Sequence, residues 1–249
     1  MSLRRFVNTL LGPTKYRLCT AGEQKALAKA TRSPFEAIAR REPPGTIQTI
    51  FDVGANIGQT TTELRRWFPQ AAIHAFEPTP ASREQYLQRH GQDPRARLWP
   101  YAIASQPGRA TFHINRRSMT NSLLTVAASS AQWVGQDNVT NVDRIEVEIR
   151  TLDQFCAENQ IAQIDILKLD IQGSELDALR GARGLLERKV IRYICLEAPF
   201  VLLYEKQACF QEISEFLAPF GCPLYGLFKL AVHESDRLLF ADALFFCER

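Results

Sequence analysis

FDVGANIGQT, residues 51–60, joins a β-rich run to a helical run through a turn that contains Gly54 and Gly58. Glycine in such a turn lets the backbone come close to a bound molecule and points the first N–H groups of the following helix toward it. A second β-rich run ends at Ala75-Phe76-Glu77-Pro78. An acidic residue at that tip accepts hydrogen bonds from ribose hydroxyls. Together these features predict a nucleoside-binding site on an α/β domain.

Outward from this turn, β-rich and helical runs alternate along the chain. Strands are predicted over residues 46–53, 71–76 and 97–104, with helices over residues 60–68 and 80–90 between them. This β-α-β-α-β order predicts a parallel sheet with right-handed crossovers. The remaining predicted elements are strands over 109–115, 144–150, 164–171 and 190–196, helices over 176–188 and 208–220, and a terminal hairpin of 223–230 with 238–247.

The region before the first strand differs from the rest of the chain. Residues 1–42 have helical patterns, and Pro43-Pro44-Gly45 then interrupts them. We therefore predict an N-terminal helical extension over 1–45, which would act as a lid over the site, and a ligand-binding domain over 46–249. Nine Lys and Arg residues against three Glu make 1–45 basic. A solvated helical face is the simplest interpretation, and an acidic partner, an anionic membrane surface or a phosphorylated substrate is the alternative.

Bulk composition excludes several functional classes. The 249 residues carry a net charge of +3, too weak to predict a nucleic-acid partner. No apolar run reaches the length of a membrane span, so stable membrane insertion is not predicted. The six cysteines form no C-x-x-C pair, which predicts buried, reduced thiols and a cytoplasmic protein, without a disulfide framework or zinc site.

The turn favours one nucleoside cofactor over another. A dinucleotide fold has G-x-G-x-x-G to shield a pyrophosphate, whereas here Gly54-Ala55-Asn56 lacks the middle glycine. S-adenosylmethionine (SAM) has no phosphate and needs space for its methionine end instead. SAM is therefore the predicted cofactor, and an NAD-linked oxidoreductase is the alternative.

Three motifs in this order resemble the FkbM-type SAM-dependent methyltransferases. They are FDVGANIGQT, HAFEPTP (residues 74–80) and IDILKLDIQGSELDALRGA (residues 164–182), and the resemblance covers about residues 48–200. It implies an α/β, Rossmann-like class I methyltransferase fold, with a seven-stranded, mostly parallel sheet whose last strand is antiparallel. It also implies methyl transfer to a hydroxyl of a sugar, a polyketide or a related small molecule.

The resemblance further implies which residues surround the cofactor. Those residues are Asp52, Gly54, Asn56 and Gly58 around the methionine end, Glu77 at the ribose with Pro78 beside it, Ala102 and Ile103 by the adenine, Ser122 in the preceding loop, and Asp170 near the sulfonium.

Acidic side chains follow two predicted strands at the edge where doubly wound sheets bind ligands. Asp170 is the first candidate for the base or acceptor-orienting group, and Glu197 is the second. Glu175 lies at the start of a predicted helix, and interaction with the dipole of that helix is an equal alternative to a catalytic role. Lys168 is predicted to form a buried ion pair with Asp52 or Asp170, because side chains alternate along a strand and the first strand lies beside this one. As the alternative, Lys168 acts as a general base, which requires a strongly lowered pKa.

Several minor alternatives complete the prediction. No metal site is predicted, although the acids could in principle bind Mg²⁺. His113 is the one histidine worth testing as a base, and Trp99 and Trp133 either line the acceptor site or pack. A binding module without catalysis is the non-enzymatic alternative, RNA methylation is a weaker one, and homo-oligomerisation is left open.

Overall fold

The computed structural model describes residues 33–248, so the helices predicted over residues 1–32 lie outside the described residues. We number the elements of the described part in chain order. The helices are α1 Pro34–Arg41, α2 Gln59–Trp67, α3 Pro80–His90, α4 Ala131–Val134, α5 Gln136–Val139, α6 Leu152–Glu158, α7 Glu175–Arg180, α8 Arg183–Glu187 and α9 Phe210–Leu217. The strands are β1 Thr49–Val53, β2 Ala72–Phe76, β3 Ala96–Trp99, β4 Tyr101–Ile103, β5 Gly108–Asn115, β6 Asn141–Arg150, β7 Ile164–Leu169, β8 Ile191–Pro199, β9 Leu224–Val232 and β10 Leu238–Phe246.

Seven strands form the main sheet in the order β3-β2-β1-β7-β8-β10-β9. Strands β1, β2, β3, β7 and β8 pair in parallel, whereas β10 runs antiparallel to both of its neighbours. Every residue of β7 is buried, as expected for a central parallel strand covered on both faces. The predicted class I methyltransferase topology, including its antiparallel last strand, is confirmed.

A second sheet of three strands, in the order β4-β6-β5, stands beside the first. The prediction of one continuous strand over 97–104 was wrong, because the chain leaves the main sheet between β3 and β4. Pro100 lies between them, and proline has no N–H to donate to a ladder. This change of sheet carries residues 101–103 to the edge of the cavity described below.

Two helices also differ from the prediction. The helix expected over 176–188 is divided into α7 and α8 at Gly181, where a Cβ would lie 2.2 Å from the Ala104 carbonyl oxygen. This close approach needs glycine and bends the chain away from one continuous helix. Helix α6 was not predicted; it begins after Thr151, whose hydroxyl accepts a hydrogen bond from the Gln154 N–H at 3.1 Å.

Helix α1 packs into the core of the main sheet. Phe35 and Ile38 are buried in one cluster with Ile50 of β1 and Tyr193 of β8. Glu42, just after the helix, pairs with the Arg192 guanidinium at 2.7 Å. The described part of the predicted extension is thus fixed to the sheet, while the domain boundary at residue 45 stays a prediction.

The terminal hairpin is confirmed as β9 and β10, and its cysteines require a correction. Cys222 and Cys247 flank the two strands and form a disulfide bond, so the prediction that all the thiols are reduced was wrong for this pair. Antiparallel pairing brings the two chain ends together, with a Cα–Cα distance of 4.0 Å. Cys156 and Cys195 are free and buried. Within residues 33–248, no helix has the length and apolar character that crossing a bilayer needs.

Candidate active site

A cavity of about 390 Å³ opens at the carboxyl edge of the main sheet. Its walls come from the ends of β1, β2, β7 and β8, from β4 and β5, and from the segment between β5 and α4. Of the predicted site residues, the structure places eight in its lining: Gly54, Asn56, Glu77, Pro78, Ala102, Ile103, Asp170 and Glu197.

The turn after β1 is held between the two neighbouring strands. The N–H groups of Gly54 and Ala55 both donate to the Phe76 carbonyl of β2 at 3.0 Å. Gly54 has φ +78°, and a Cβ there would lie 2.0 Å from the Asp170 carbonyl oxygen. Only glycine satisfies both conditions. The backbone of this turn can therefore form one wall of the cavity.

Gly58 lies behind the turn and does not line the cavity. It precedes α2 with φ +90°, and a Cβ there would meet the His90 ring at 2.6 Å. The imidazole Nε2 of His90 is 2.9 Å from the Gly58 carbonyl oxygen. The positive φ and the close approach of α3 therefore require this glycine, independently of a bound molecule.

Glu77 occupies the tip of β2 and is fixed there by the backbone. One carboxylate oxygen accepts from the Asn56 N–H at 3.0 Å, and the other accepts from the Thr79 N–H at 2.8 Å. Burial raises the pKa of Glu77 and outweighs these hydrogen bonds, which lower it. Each oxygen keeps a lone pair for a further donor. The carboxylate can thus accept two hydroxyls from the cavity without moving.

The opposite part of the cavity is apolar. Tyr101, Ala102 and Ile103 enter it from β4, and Phe112 of β5 and Leu123 face them. This wall exists because the chain changes sheets at Pro100. A planar, weakly polar ring such as a purine matches it, whereas the Glu77 end suits a polyhydroxylated group.

Lys168 forms the predicted buried ion pair. Its ammonium lies 3.0 Å from Asp52 Oδ1 and 3.8 Å from Asp170 Oδ2, and the Lys168 and Asp52 side chains are only 6% and 0% exposed. Asp52 also accepts from the Thr61 hydroxyl at 2.7 Å. Burial lowers the pKa of Lys168, but the two carboxylates outweigh burial and raise it. This direction is opposite to the one that a general base requires.

Gln172 joins the two candidate catalytic acids. Its side-chain Nε2 donates to Asp170 Oδ1 at 2.7 Å and lies 3.3 Å from Glu197 Oε2. The Tyr204 hydroxyl lies 2.9 Å from Gln172 Oε1 and 3.0 Å from the Thr120 carbonyl oxygen, and it can donate its one proton to either. Donation to Gln172 Oε1 orients the amide. Burial and the carboxylates of Asp170 and Glu175 raise the pKa of Glu197 well above its ordinary value.

Gln172 was not predicted as a site residue. It stands two positions after Asp170 in the motif that carries the family resemblance, and this position was the available signal. Its backbone has φ +55°, a conformation that glutamine adopts uncommonly.

Two further predicted residues support the loop behind the cavity. The Ser122 hydroxyl donates to the Gln172 carbonyl at 2.7 Å and accepts from the Leu124 N–H at 2.9 Å. Glu175 is buried and accepts from the N–H groups of Ile171 and Gly173. Burial raises the pKa of Glu175 to about 7. Neither side chain lines the cavity, so both fix the segment that carries Gln172.

The remaining candidates lie elsewhere. His113 borders a separate cavity of about 280 Å³, and burial and Arg144 lower its pKa. Trp99 packs edge-on against Phe155, and Trp133 packs edge-on against His233. Among residues 33–248, no group of three or more His, Cys, Asp or Glu side chains is placed to hold a metal ion.

Comparisons with known proteins agree with this architecture. Residues 52–224 match the model of the methyltransferase FkbM domain. The 2-O-methyltransferase NoeI of Sinorhizobium fredii is 31% identical over 204 residues, which span 76% of this chain and 78% of that protein. The 31-O-demethyl-FK506 methyltransferase FkbM of Streptomyces tacrolimicus is 28% identical over 159 residues, 55% of this chain and 60% of that one.

One solved structure is also similar at low sequence identity. Magnesium protoporphyrin IX methyltransferase from Synechocystis, with bound SAM, superposes with a TM-score of 0.48 at 9% identity, over 100% of this chain and 98% of that one.

Proposed function

This chain belongs to the FkbM methyltransferase family, and we propose that it transfers the methyl group of SAM to a hydroxyl oxygen of a small molecule. Two relatives whose printed names specify O-methyl chemistry support the hydroxyl as the acceptor group. The observation that carries the proposal is the buried, backbone-held Glu77 carboxylate at the polar end of a cavity whose other end is apolar.

The cavity fits the three parts of SAM. Glu77 would accept the ribose hydroxyls, and the β4 residues Ala102 and Ile103 would contact the adenine. The methionine end would lie along the turn at Gly54 and Asn56, since no phosphate has to be shielded there. Asp52, Gly58 and Ser122 lie behind this surface, and we propose that they position it without touching the cofactor.

Asp170 and Glu197 are proposed to divide the work at the acceptor. Bound SAM supplies a methyl carbon already activated by its sulfonium, so alignment of the acceptor oxygen accounts for much of the rate. The raised pKa of Glu197 favours its protonated form, which can donate a hydrogen bond to that oxygen. Asp170, whose side chain is 43% exposed, accepts the hydroxyl proton as the new C–O bond forms.

Lys168 has a positioning role in this proposal. Its ammonium holds the Asp52 and Asp170 carboxylates, and it also donates to the Gly54 carbonyl at 3.1 Å. One cation therefore connects the cofactor turn with the proposed base.

The proposal also includes a cytoplasmic location, an acceptor other than nucleic acid, and catalysis without Mg²⁺. Turnover measured in excess EDTA tests the last of these.

Calorimetric titration with SAM and with its demethylated product tests the cofactor assignment. Glu77→Ala should weaken both affinities by roughly 10- to 100-fold, because it removes charge-assisted hydrogen bonds. Glu84→Ala, an exposed position on α3, is the matched control and should bind normally. Unchanged affinity in Glu77→Ala would refute the assignment.

Two further measurements test the alternative functions. Nicotinamide cofactors should not displace SAM. The Asp170→Asn variant should bind SAM but lose turnover, which separates an enzyme from a binding module.

A further inference from the structure

A second cavity of about 160 Å³ adjoins the proposed cofactor site. The two cavities share Thr60, Asp170 and Glu197, so the candidate catalytic acids form the wall between them. The rest of its lining comes from β7 and β8, from Phe35 of α1 and from the terminal hairpin. A molecule in the second cavity would thus lie against the same acids as the cofactor.

An irregularity in the terminal hairpin places a cation in this cavity. Phe228 pairs with Asp242, and Ala231 pairs with Phe240. Three residue steps of β9 therefore lie opposite two residue steps of β10. The extra residue forms a β-bulge, and Lys229 within it has φ +45°. Bulges redirect side chains and are frequent beside active sites. The bulge therefore sets the direction of the Lys229 side chain.

The bulge brings Lys229 close to two carboxylates. Its ammonium lies 3.5 Å from Asp242 Oδ2 and 3.2 Å from Glu63 Oε2, and its side chain remains 44% exposed. Asp242 lines the cavity and is the register partner of Glu197 on β8. Lys229 and Asp242 therefore face the cavity as a donor and an acceptor, with Glu197 beside them.

We propose, building on the function proposed above, that this cavity receives the acceptor and that Lys229 and Asp242 select a neutral, polyhydroxylated group such as a sugar ring. Apart from Glu197 in the shared wall, the cavity is lined by two lysines and two aspartates, with Lys168 and Asp170 as the inner pair. These four charges balance, so none is left to pair with an ionic acceptor. A hydroxyl both donates and accepts hydrogen bonds, so neighbouring hydroxyls match an ammonium beside a carboxylate. An apolar acceptor would desolvate this ion pair and offer it no hydrogen bond in return.

The assignment also predicts where the reacting oxygen of the acceptor would lie. A hydroxyl next to those bound by Lys229 and Asp242 would point to the shared wall, where Asp170 and Glu197 lie. Because Lys229 and Asp242 touch the acceptor away from the reacting atoms, they are specificity residues, and their loss should raise KM and leave kcat nearly unchanged.

Transfer of radiolabelled methyl from SAM to a panel of small acceptors tests this inference. The panel contains methyl hexopyranosides, cyclohexanol as an apolar alcohol, and glucuronate and glucosamine as charged sugars. We expect methylated hexopyranosides and a KM raised at least tenfold in Asp242→Asn and in Lys229→Met. Lys229→Arg keeps a cation at the bulge and should recover most of the affinity. Asp236→Asn, exposed in the turn of the same hairpin, is the matched control.

The outcomes separate the two proposals. Preferred methylation of cyclohexanol or of a charged sugar, methylation of no hexopyranoside, or an unchanged KM in both cavity variants would overturn the acceptor assignment. Calorimetric SAM affinity within twofold of wild type in these variants, with a normal melting temperature, would show that any KM increase belongs to the acceptor. Failure of the wild-type chain to bind SAM would instead overturn the proposed function, and this inference with it.

Discussion

Replacing Lys168 with methionine tests how the charges behind the active site stabilise the fold. Methionine nearly matches the length of the lysine stem but removes the ammonium that lies 3.0 Å from Asp52. The Asp52 side chain is fully buried, so bulk solvent does not replace the lost cation. In the variant, the Asp52 carboxylate keeps the hydrogen bond from the Thr61 hydroxyl as its remaining side-chain contact among residues 33–248.

The expected loss follows from burial. Two unit charges 3.0 Å apart attract by roughly 5.5 kcal/mol at an effective dielectric constant of about 20, before the cost of removing them from water. Breaking a buried pair by removing one partner costs about 3–5 kcal/mol, because the other charge stays desolvated. A domain with a typical stability of about 5–15 kcal/mol would lose a large part of it.

Urea denaturation of purified variants measures this loss as the free energy of unfolding. Lys229→Met is the matched control, because Lys229 also pairs with two carboxylates but is 44% exposed, and it should cost about 1 kcal/mol or less. Asp52→Asn combined with Lys168→Met should recover most of the loss by removing the unpaired charge. A loss below about 1 kcal/mol in Lys168→Met, or no recovery in the double variant, would refute the reasoning.

Three further predictions concern the supports of the site. The pKa of Glu175 is about 7 in the folded chain, against an ordinary value of 4.5. Between these two pH values the folded chain holds a proton that the unfolded chain has released. The free energy of unfolding is therefore highest below pH 4.5 and falls by roughly 3 kcal/mol as the pH rises through 7. Glu175→Gln should flatten the wild-type pH profile of urea unfolding in that window, and identical profiles would contradict it. Gly54→Ala should prevent stable folding or SAM binding, because its Cβ would meet the Asp170 carbonyl, whereas Gly221→Ala, with φ +72° and open space, should cost about 1–2 kcal/mol. Equal losses in thermal melting would contradict the steric argument. Reducing the Cys222–Cys247 disulfide, whose cysteines are 25 residues apart, should lower stability by about 3 kcal/mol, and a Cys222→Ser, Cys247→Ser variant should not respond to reductant. An equal effect of reductant on both proteins would contradict this bond.

The parts of the site that follow from periodicity were predictable from the sequence. Asp170 directly follows β7, two residues after Lys168, so the two side chains lie on the same side of the sheet. The parallel order places Asp52 opposite Lys168 in register. Glu77 lies at the carboxyl end of β2 for the same reason. Strand alternation and sheet order are nearly independent of side-chain detail, which is why these contacts could be anticipated.

Other features depend on local conformations that propensity does not reveal. The step from β3 to β4 moves the chain to another sheet within one residue, and only Pro100 signals it. The disulfide depends on the two ends of the hairpin meeting, which the spacing of Cys222 and Cys247 does not show on its own. Asp165 illustrates the same limit, since its carboxylate accepts from the N–H of Gln48 and of Thr49 across 116 residues or more.

The residues that sequence reasoning missed share a physical property. Gln172 and Lys229 both have positive φ, as does Asn56, and these three line the two cavities, whereas the four other non-glycine residues with positive φ in residues 33–248 line neither. Such a conformation costs of order 1–3 kcal/mol and persists only where the surrounding structure imposes it. Ser122, Tyr204 and Glu175 impose it on the Gln172 loop, and the pairing of β9 with β10 imposes it on Lys229. Removing that support, for example by Tyr204→Phe, should therefore reduce kcat more than it weakens the affinity for SAM. The reason is that the supported residues lie beside the wall shared by the two cavities, where the acceptor would react.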